Sequence, residues 1–324
     1  MGPAFSLFTA FTGSLLTLLV CAAAGAACRR GGLLDDKMTS GLSNLMFNVT
    51  VPCTVFVSLM RPFSRALLWE SFATFFLSGA IYLSCGLIGF AAYKVYRRKK
   101  QTHKGEPLSA DAKVLIFACV FANVGYMGFP VVQAVFGEEG MIYASMANAS
   151  FNMLTFTLGV RLFGQKSEKK GVLPVLKSVF FNAALIATFI GFAFFMTGLR
   201  LPGPLYGGVA MLGAMTAPVS MLIIGSILAK NPLRNLFNDK RIFPAIIARL
   251  FIFPAAAFFA LRPFVANETM LGVIVVLTAM PVAMITAIFA ERYQRGAEVA
   301  SKAVALSTLF SVVTVPLVAL MIGI

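Results

Sequence analysis

Apolar residues run along this chain in long stretches separated by short polar ones. Ten stretches can be marked, at about 5–27, 38–60, 67–93, 113–137, 140–164, 176–198, 205–229, 241–263, 269–290 and 297–324. Each is close to the roughly 20 residues that cross a bilayer as a helix. The fourth stretch contains "NVGYMGFPVVQAVFG", Asn123 to Gly137, in which Gly125, Gly128 and Pro130 are predicted to break the helix. Proline removes a backbone hydrogen bond and clashes with the preceding turn, and glycine adds backbone freedom. A break at membrane depth is tolerated only where the freed backbone is buried in protein or lines a cavity, so the break itself implies a polar site.

The interruption recurs. Divided after the fifth stretch, the chain gives two halves of odd span number, which must have opposite orientations. In the first half the second and fourth spans carry Pro52 and Pro130; in the second half the corresponding spans carry Pro218 and Pro281. "MIYAS" and "AEVAS" open the fifth and tenth spans. Paired interrupted helices at matching positions of inverted halves point to a transporter with its site at the midplane. The fold class expected is therefore all-α integral membrane: ten transmembrane helices in two inverted five-helix repeats. The first repeat covers 1–164, a cytoplasmic linker 165–175 and the second repeat 176–324. Half-helices starting after Pro130 and Pro281 would point positive dipole ends at the membrane centre, where they attract anions.

Composition agrees, with 59% hydrophobic residues and 12% charged. The net charge of +15 reports topology and not nucleic acid, because the charges fall in short loops and not on one folded face. Lys and Arg number 22 on one set of alternate loops and 4 on the other, with Arg249 left within a span. By the positive-inside rule both termini are expected outside the cytoplasm, with the plasma membrane as the expected home and the basic loop at 94–113 cytoplasmic. The five cysteines are scattered through apolar stretches with no paired spacing, and the one histidine, His103, lies in the basic loop. Neither a zinc site, a cofactor nor a Ser-His-Asp triad is expected, and no enzyme activity.

Several linked motifs carry a family resemblance. "NVGYMGFPVVQAVFG", "APVSMLIIGSILA", "ARLFIFPAAA" and "MPVAMITAIFAERYQRGAEVAS" are similar to the fourth-, seventh-, eighth- and ninth-span patterns of the auxin efflux carrier family of secondary transporters, which includes bacterial malonate- and malate-type carriers. The resemblance covers essentially the whole chain. It implies a scaffold of spans 1, 2, 6 and 7 and a transport domain of spans 3–5 and 8–10, whose fourth and ninth helices cross where they unwind. It also implies a small organic anion bound at that crossing, an elevator-like motion of one domain against the other, and a homodimer through the scaffold. The link "GQKSEKKGVLPVLK" is short where the plant carriers have a long insertion, so the bacterial branch is the nearer likeness.

The candidate site residues follow from the breaks. Asn123 either holds freed carbonyls or touches cargo. Gly125, Gly128, Pro130 and Pro281 set backbone geometry, with ligand contact through the neighbouring amides, including those of Tyr126 and Met280. Asn148 and Asn152 share a face of the fifth span, being four apart, and act as interhelical glue or as site residues. Gln133 is placed one turn after Pro130, and Pro52, Pro218 and Ser220 on the scaffold side. Arg249 attracts the anion, contacts carbonyls at a broken helix, or extends to the surface. Glu70 pairs, relays a proton, or ends the third helix in water. The deep parts of the fourth, fifth, ninth and tenth spans hold no Asp or Glu, which disfavours a cation antiporter. The rival reading is a transport-dead sensor or scaffold protein with the same fold.

Overall fold

The computed structural model describes residues 3–99, 109–159, 162, 182–230, 236–293 and 296–323. Their regular structure is helical, as apolar stretches in lipid require, because a helix satisfies its backbone N–H and C=O groups internally. Helix α1 spans Pro3–Arg30, α2 Asp36–Leu59, α3 Arg65–Lys99 and α4 Ala110–Val120. Then come α5, Phe129–Leu154, α6, Ala183–Thr197, α7, Gly203–Lys230, and α8, Phe243–Leu261. The chain closes with α9, Glu268–Thr278, α10, Ile285–Arg292, and α11, Ala297–Met321. Five of these (α2, α3, α7, α8 and α11) contain segments long and apolar enough to cross a membrane, and α6 and α9 are shorter apolar helices. This is an integral membrane protein. The expected linker 165–175 and Lys100 and His103 of the basic loop lie outside the described residues.

Helix starts are marked by side-chain caps. Asp35, Ser109, Asn182 and Asn267 each accept from the backbone N–H three residues on, at α2, α4, α6 and α9. Such a bond satisfies one of the orphan donors of a first turn. Asn267 also donates Nδ2 to Glu70 Oε1 at 3.0 Å and to the Tyr143 hydroxyl at 3.1 Å. Tyr143 in turn donates to Glu70 Oε2 at 2.6 Å. Glu70 thus ends in a polar knot joining α3, α5 and the start of α9.

The prolines act differently from expectation. Pro52, Pro130 and Pro254 each sit in the first turn of a regular helix, and each follows a wide, i→i+5 bonded turn: Met46–Thr50, Val124–Gly128 and Ala248–Ile252. A proline ring clashes with the carbonyl four residues earlier. Widening the helix by one residue moves that carbonyl away without losing the helix. Pro130 therefore does not break the fourth span, and Gly125 and Gly128 lie in the wide turn itself. Pro218 falls within the second part of α7, after a one-residue interruption at Met215. The fourth and fifth spans are joined by a sharp bend at Gly137, whose φ of 59° and ψ of −153° are open essentially to glycine alone.

Packing sorts the helices. Along one set of contacts α1 lies against α7, and α2 against α6 and α7; along another α3 packs on α4 and α5, α9 on α5 and α8, and α11 on α4 and α10. Ion pairs follow the same sorting. Asp36 bridges Arg29 of α1 and Lys230 of α7 at 2.8 and 2.9 Å. Arg241, just before α8, pairs with Asp239 at 2.7 Å and with Asp111 of α4 at 2.8 Å. The Arg241 guanidinium holds the Asp239 carboxyl below its usual range.

Candidate functional site at the crossing

Helix α4 stops at Val120, and Phe121 turns extended, with φ −104° and ψ 113°. The matching interruption follows α9 at Ala279–Met284. The two breaks repair each other. Ala122 and Val282 form an isolated antiparallel bridge. The Asn123 N–H donates to the Pro281 carbonyl at 2.8 Å, and the Ala283 N–H to the Phe121 carbonyl at 2.9 Å. Pro281 has no N–H to lose and here serves as an acceptor. The Val282 amide donates to Ser307 Oγ of α11 at 3.0 Å. The break thus falls at Phe121–Asn123, a few residues before the glycines and proline that announced it.

Below the bridge the two helices end with carbonyls that have lost their partners, and Arg249 collects them. Its Nη1 donates to Cys119 O at 2.9 Å and Val120 O at 3.2 Å, its Nη2 to Thr278 O at 2.8 Å, and its Nε to Met280 O at 3.3 Å. The side chain is fully buried. A planar guanidinium suits this, since its donors fork in two directions while its charge faces the negative ends of α4 and α9. Of the three sequence readings of Arg249, the contact with carbonyls at a broken helix is the one the geometry displays.

Above the bridge the chain re-enters helix twice, and both starts face one cavity of about 350 Å³. The amides of Gly125 and Tyr126, and those of Met284 and Ile285, have no backbone acceptor among the described residues, and all four residues line the cavity. Asn48, Asn123, Asn148, Asn152 and Asn182 line it too, with an apolar remainder that includes Phe47, Val51, Phe151, Ile288 and Phe289. The Nδ2 atoms of Asn123 and Asn148 are buried without a hydrogen-bond partner, while the buried Tyr126 hydroxyl approaches Ser43 of α2. Groups of the first kind cost about 1–3 kcal/mol each when left unpaired. No charged side chain lines the cavity among the described residues. It is a cage of donors, built from two helix ends and two amide side chains, with apolar walls.

Of the residues singled out by sequence, Asn123, Gly125, Tyr126, Asn148 and Asn152 share this cavity, and Asn152 Nδ2 donates to Asn148 O at 2.9 Å. Pro130 and Gln133 line a second cavity. Gly128 faces Leu277 of α9, whose Cδ2 would lie 2.6 Å from a Cβ at that position. Arg249, Met280, Pro281, Pro52, Pro218 and Ser220 line neither cavity; Ser220 donates to Ala217 O at 2.9 Å within its own helix. Glu70 is likewise outside both. Sequence reasoning missed Asn48, Asn182, Met284, Ile285 and Ser307. Asn48 had a signal: it stands four residues before Pro52, where the proline forces the helix to widen. Ser307 had none, because one serine among the many of an apolar helix looks like packing.

The family model for membrane transport proteins matches residues 10–319. An uncharacterized transporter of Methanocaldococcus jannaschii is 26% identical over 313 residues, covering 94% of this chain and 96% of that protein. An uncharacterized transporter of Escherichia coli K12 is 22% identical over 319 residues, covering 96% and 97%. A Rhizobium meliloti protein provisionally named a malonate transporter is 26% identical over 212 residues, covering 64% and 66%.

Proposed function

The chain belongs to the auxin efflux carrier family of membrane transport proteins, and we propose that it carries a small organic anion, a mono- or dicarboxylate, across the plasma membrane. The observation that carries this reading is the convergence of two helix N-termini and two unpartnered amide donors on one cavity whose described lining has no charged side chain. Each helix end is equivalent to roughly half a positive charge, so the two together match one carboxylate. The rest of the cargo would lie against Phe47, Phe151 and Phe289. The relative provisionally named for malonate agrees with a carboxylate cargo.

In this reading Arg249 positions the crossing and does not touch the cargo. Its burial is offset by the carbonyls it collects, and it keeps the negative helix ends from opposing an anion on the other side of the bridge. Ten spans in two inverted repeats, both termini outside the cytoplasm, and a transport body of spans 3–5 and 8–10 moving against spans 1, 2, 6 and 7 complete the proposal. The sorting of packing and ion pairs into the same two groups supports that division.

Exchange of a panel of radiolabelled mono- and dicarboxylates by proteoliposomes tests the function, and binding by purified Asn123→Ala tests the site. Loss of a hydrogen bond to a charged partner is worth about 1.5–3 kcal/mol, so affinity is expected to fall roughly 10- to 150-fold at ~1.4 kcal/mol per decade. An Asn123→Ala variant that elutes as folded protein and binds like the parent would overturn the assignment of the cavity.

A further inference from the structure

The second cavity, of about 290 Å³, lies across the crossing from the first, between α2, α7 and the α5 bend. The two linings are close. On α2 the first includes Val51 and the second Thr54; on the re-entering fourth segment the first includes Tyr126 and the second Phe129. Three residues of helix amount to about 4.5 Å. Only one turn of each element separates the two spaces.

Ser58 and Glu138, which line the second cavity, take part in polar contacts between α2 and α5. Ser58 Oγ and Ser145 Oγ lie 2.7 Å apart, both buried. Ser58 Oγ also donates to Val55 O at 2.7 Å, so Ser145 is the donor of the pair. Arg61, just past the end of α2, donates Nε to Ser58 O at 3.2 Å and Nη2 to the Glu138 carbonyl. Glu138 stands at the glycine bend and accepts from Gln133 Nε2 at 2.9 Å through its Oε1. Arg61 therefore ties the end of one helix to the bend of another. At the opposite end, near the first cavity, the comparable contact among the described residues is a long one, Asn182 Nδ2 to Asn152 Oδ1 at 3.4 Å.

We propose that the second cavity is the far-side approach to the crossing, and that the Ser58–Ser145 pair with the Arg61–Glu138 carbonyl contact is the latch that holds α2 against α5 beside it. This rests on the transport reading. The latch must part for cargo to reach the crossing from that side, and its members sit where α2, which would stay, meets α5, which would move. Its bonds are short, local and reversible, as suits a closure that is made and broken in each cycle.

The test places Ser58→Cys and Ser145→Cys in a background lacking the five native cysteines. Oxygens 2.7 Å apart put the introduced sulfurs within range of a disulfide. Oxidation is expected to slow carboxylate exchange in proteoliposomes more than tenfold, with recovery on reduction, while the oxidised purified protein still binds the carboxylate panel. Exchange at the parent rate after complete cross-linking would overturn the latch. Absence of carboxylate binding by the reduced protein would instead overturn the transport reading. Should the cysteine pair fail to fold, Ser58→Ala with Arg61→Gln is the second variant, read by thiol labelling at Thr54→Cys in the second cavity. Several-fold faster labelling is expected, and an unchanged rate would overturn the proposal.

Discussion

Gly25 of α1 and Gly225 of α7 face each other's helix backbone at a distance that excludes any side chain. A Cβ at Gly225 would lie 1.8 Å from the Ala22 carbonyl oxygen, and one at Gly25 would lie 2.2 Å from that of Leu222. In lipid, helix association depends on such close backbone approach, because apolar side chains gain little by leaving the acyl chains. Backbone cannot rotate out of the way as a flexible side chain can. Gly225→Ala should therefore force α1 and α7 apart. Overpacking costs typically about 1–3 kcal/mol, so the unfolding temperature in detergent is expected to drop by several degrees. Gly208→Ala, on the same helix with nothing within 4 Å, is the control and should leave it unchanged. Equal melting of the two variants would contradict the tight crossing.

Arg249 gives a prediction about order and not about cargo. Arg249→Met would leave the Cys119, Val120, Thr278 and Met280 carbonyls without their donor. At about 1–3 kcal/mol for each buried unpaired group, little folded protein should be recovered. Arg249→Lys keeps the charge but loses the fork; it should be recovered with a lowered melting temperature. Carboxylate affinity of that folded Lys variant should stay within about threefold of the parent. A large loss of affinity with unchanged melting would move Arg249 from holding the crossing to holding the anion.

Tyr126 separates site from scaffold most cleanly. Tyr126 lines the first cavity, its buried hydroxyl approaches Ser43 of α2, and its ring packs edge-on against Phe47 at 4.8 Å. Tyr126→Phe keeps the ring and removes only the donor. A net hydrogen bond is worth about 0.5–1.5 kcal/mol, so affinity should fall roughly 2- to 12-fold, with melting equal to or above that of the parent. Isothermal titration against the carboxylate that exchanges best reads the affinity and a thermal melt in detergent the stability, and an affinity unchanged within error would remove Tyr126 from the site.

Topology is open to a chemical test at the two ends of the bundle. Lys37, at the basic end, is exposed, and Phe264, at the other, is 86% exposed. In a cysteine-free background an impermeant thiol reagent added to intact cells should label Phe264→Cys and spare Lys37→Cys. The reverse pattern would invert the assignment made from loop charge.

The sequence announced the crossing more clearly than it located it. Pro281 marked the ninth-span break because it lies within it, whereas Pro130 stands seven residues after Asn123 and belongs to the helix that resumes. A proline shows that the preceding turn is disturbed. Whether the disturbance is a widened turn, as before Pro52 and Pro254, or a true interruption, as at Phe121–Asn123, depends on a partner strand elsewhere in the chain. Ala122 cannot reveal that it pairs with Val282, because the pairing is made by backbone and leaves no mark on residue type. The same holds for the amides of Met284 and Ile285. Asn123, Asn148 and Asn152 were legible because a polar amide is costly at membrane depth, and Arg249 was legible for the same reason. Its role was not, since four carbonyls attract a cation as an anion would.

The first cavity, with its donors and without a formal charge, fixes how the proposed motion responds to the membrane potential. Arg249 would travel out and back with the crossing, so its charge cancels over a cycle. The cargo's charge does not cancel, because no acidic or basic side chain among the described lining residues accompanies it as a counter-ion. Moving one charge through 100 mV is worth about 2.3 kcal/mol, which is roughly 50-fold in the distribution of a singly charged anion. With the cytoplasm negative, a carrier of this construction acting alone would be biased toward export, and uptake would need an opposing concentration gradient, exchange for another anion or a co-carried cation.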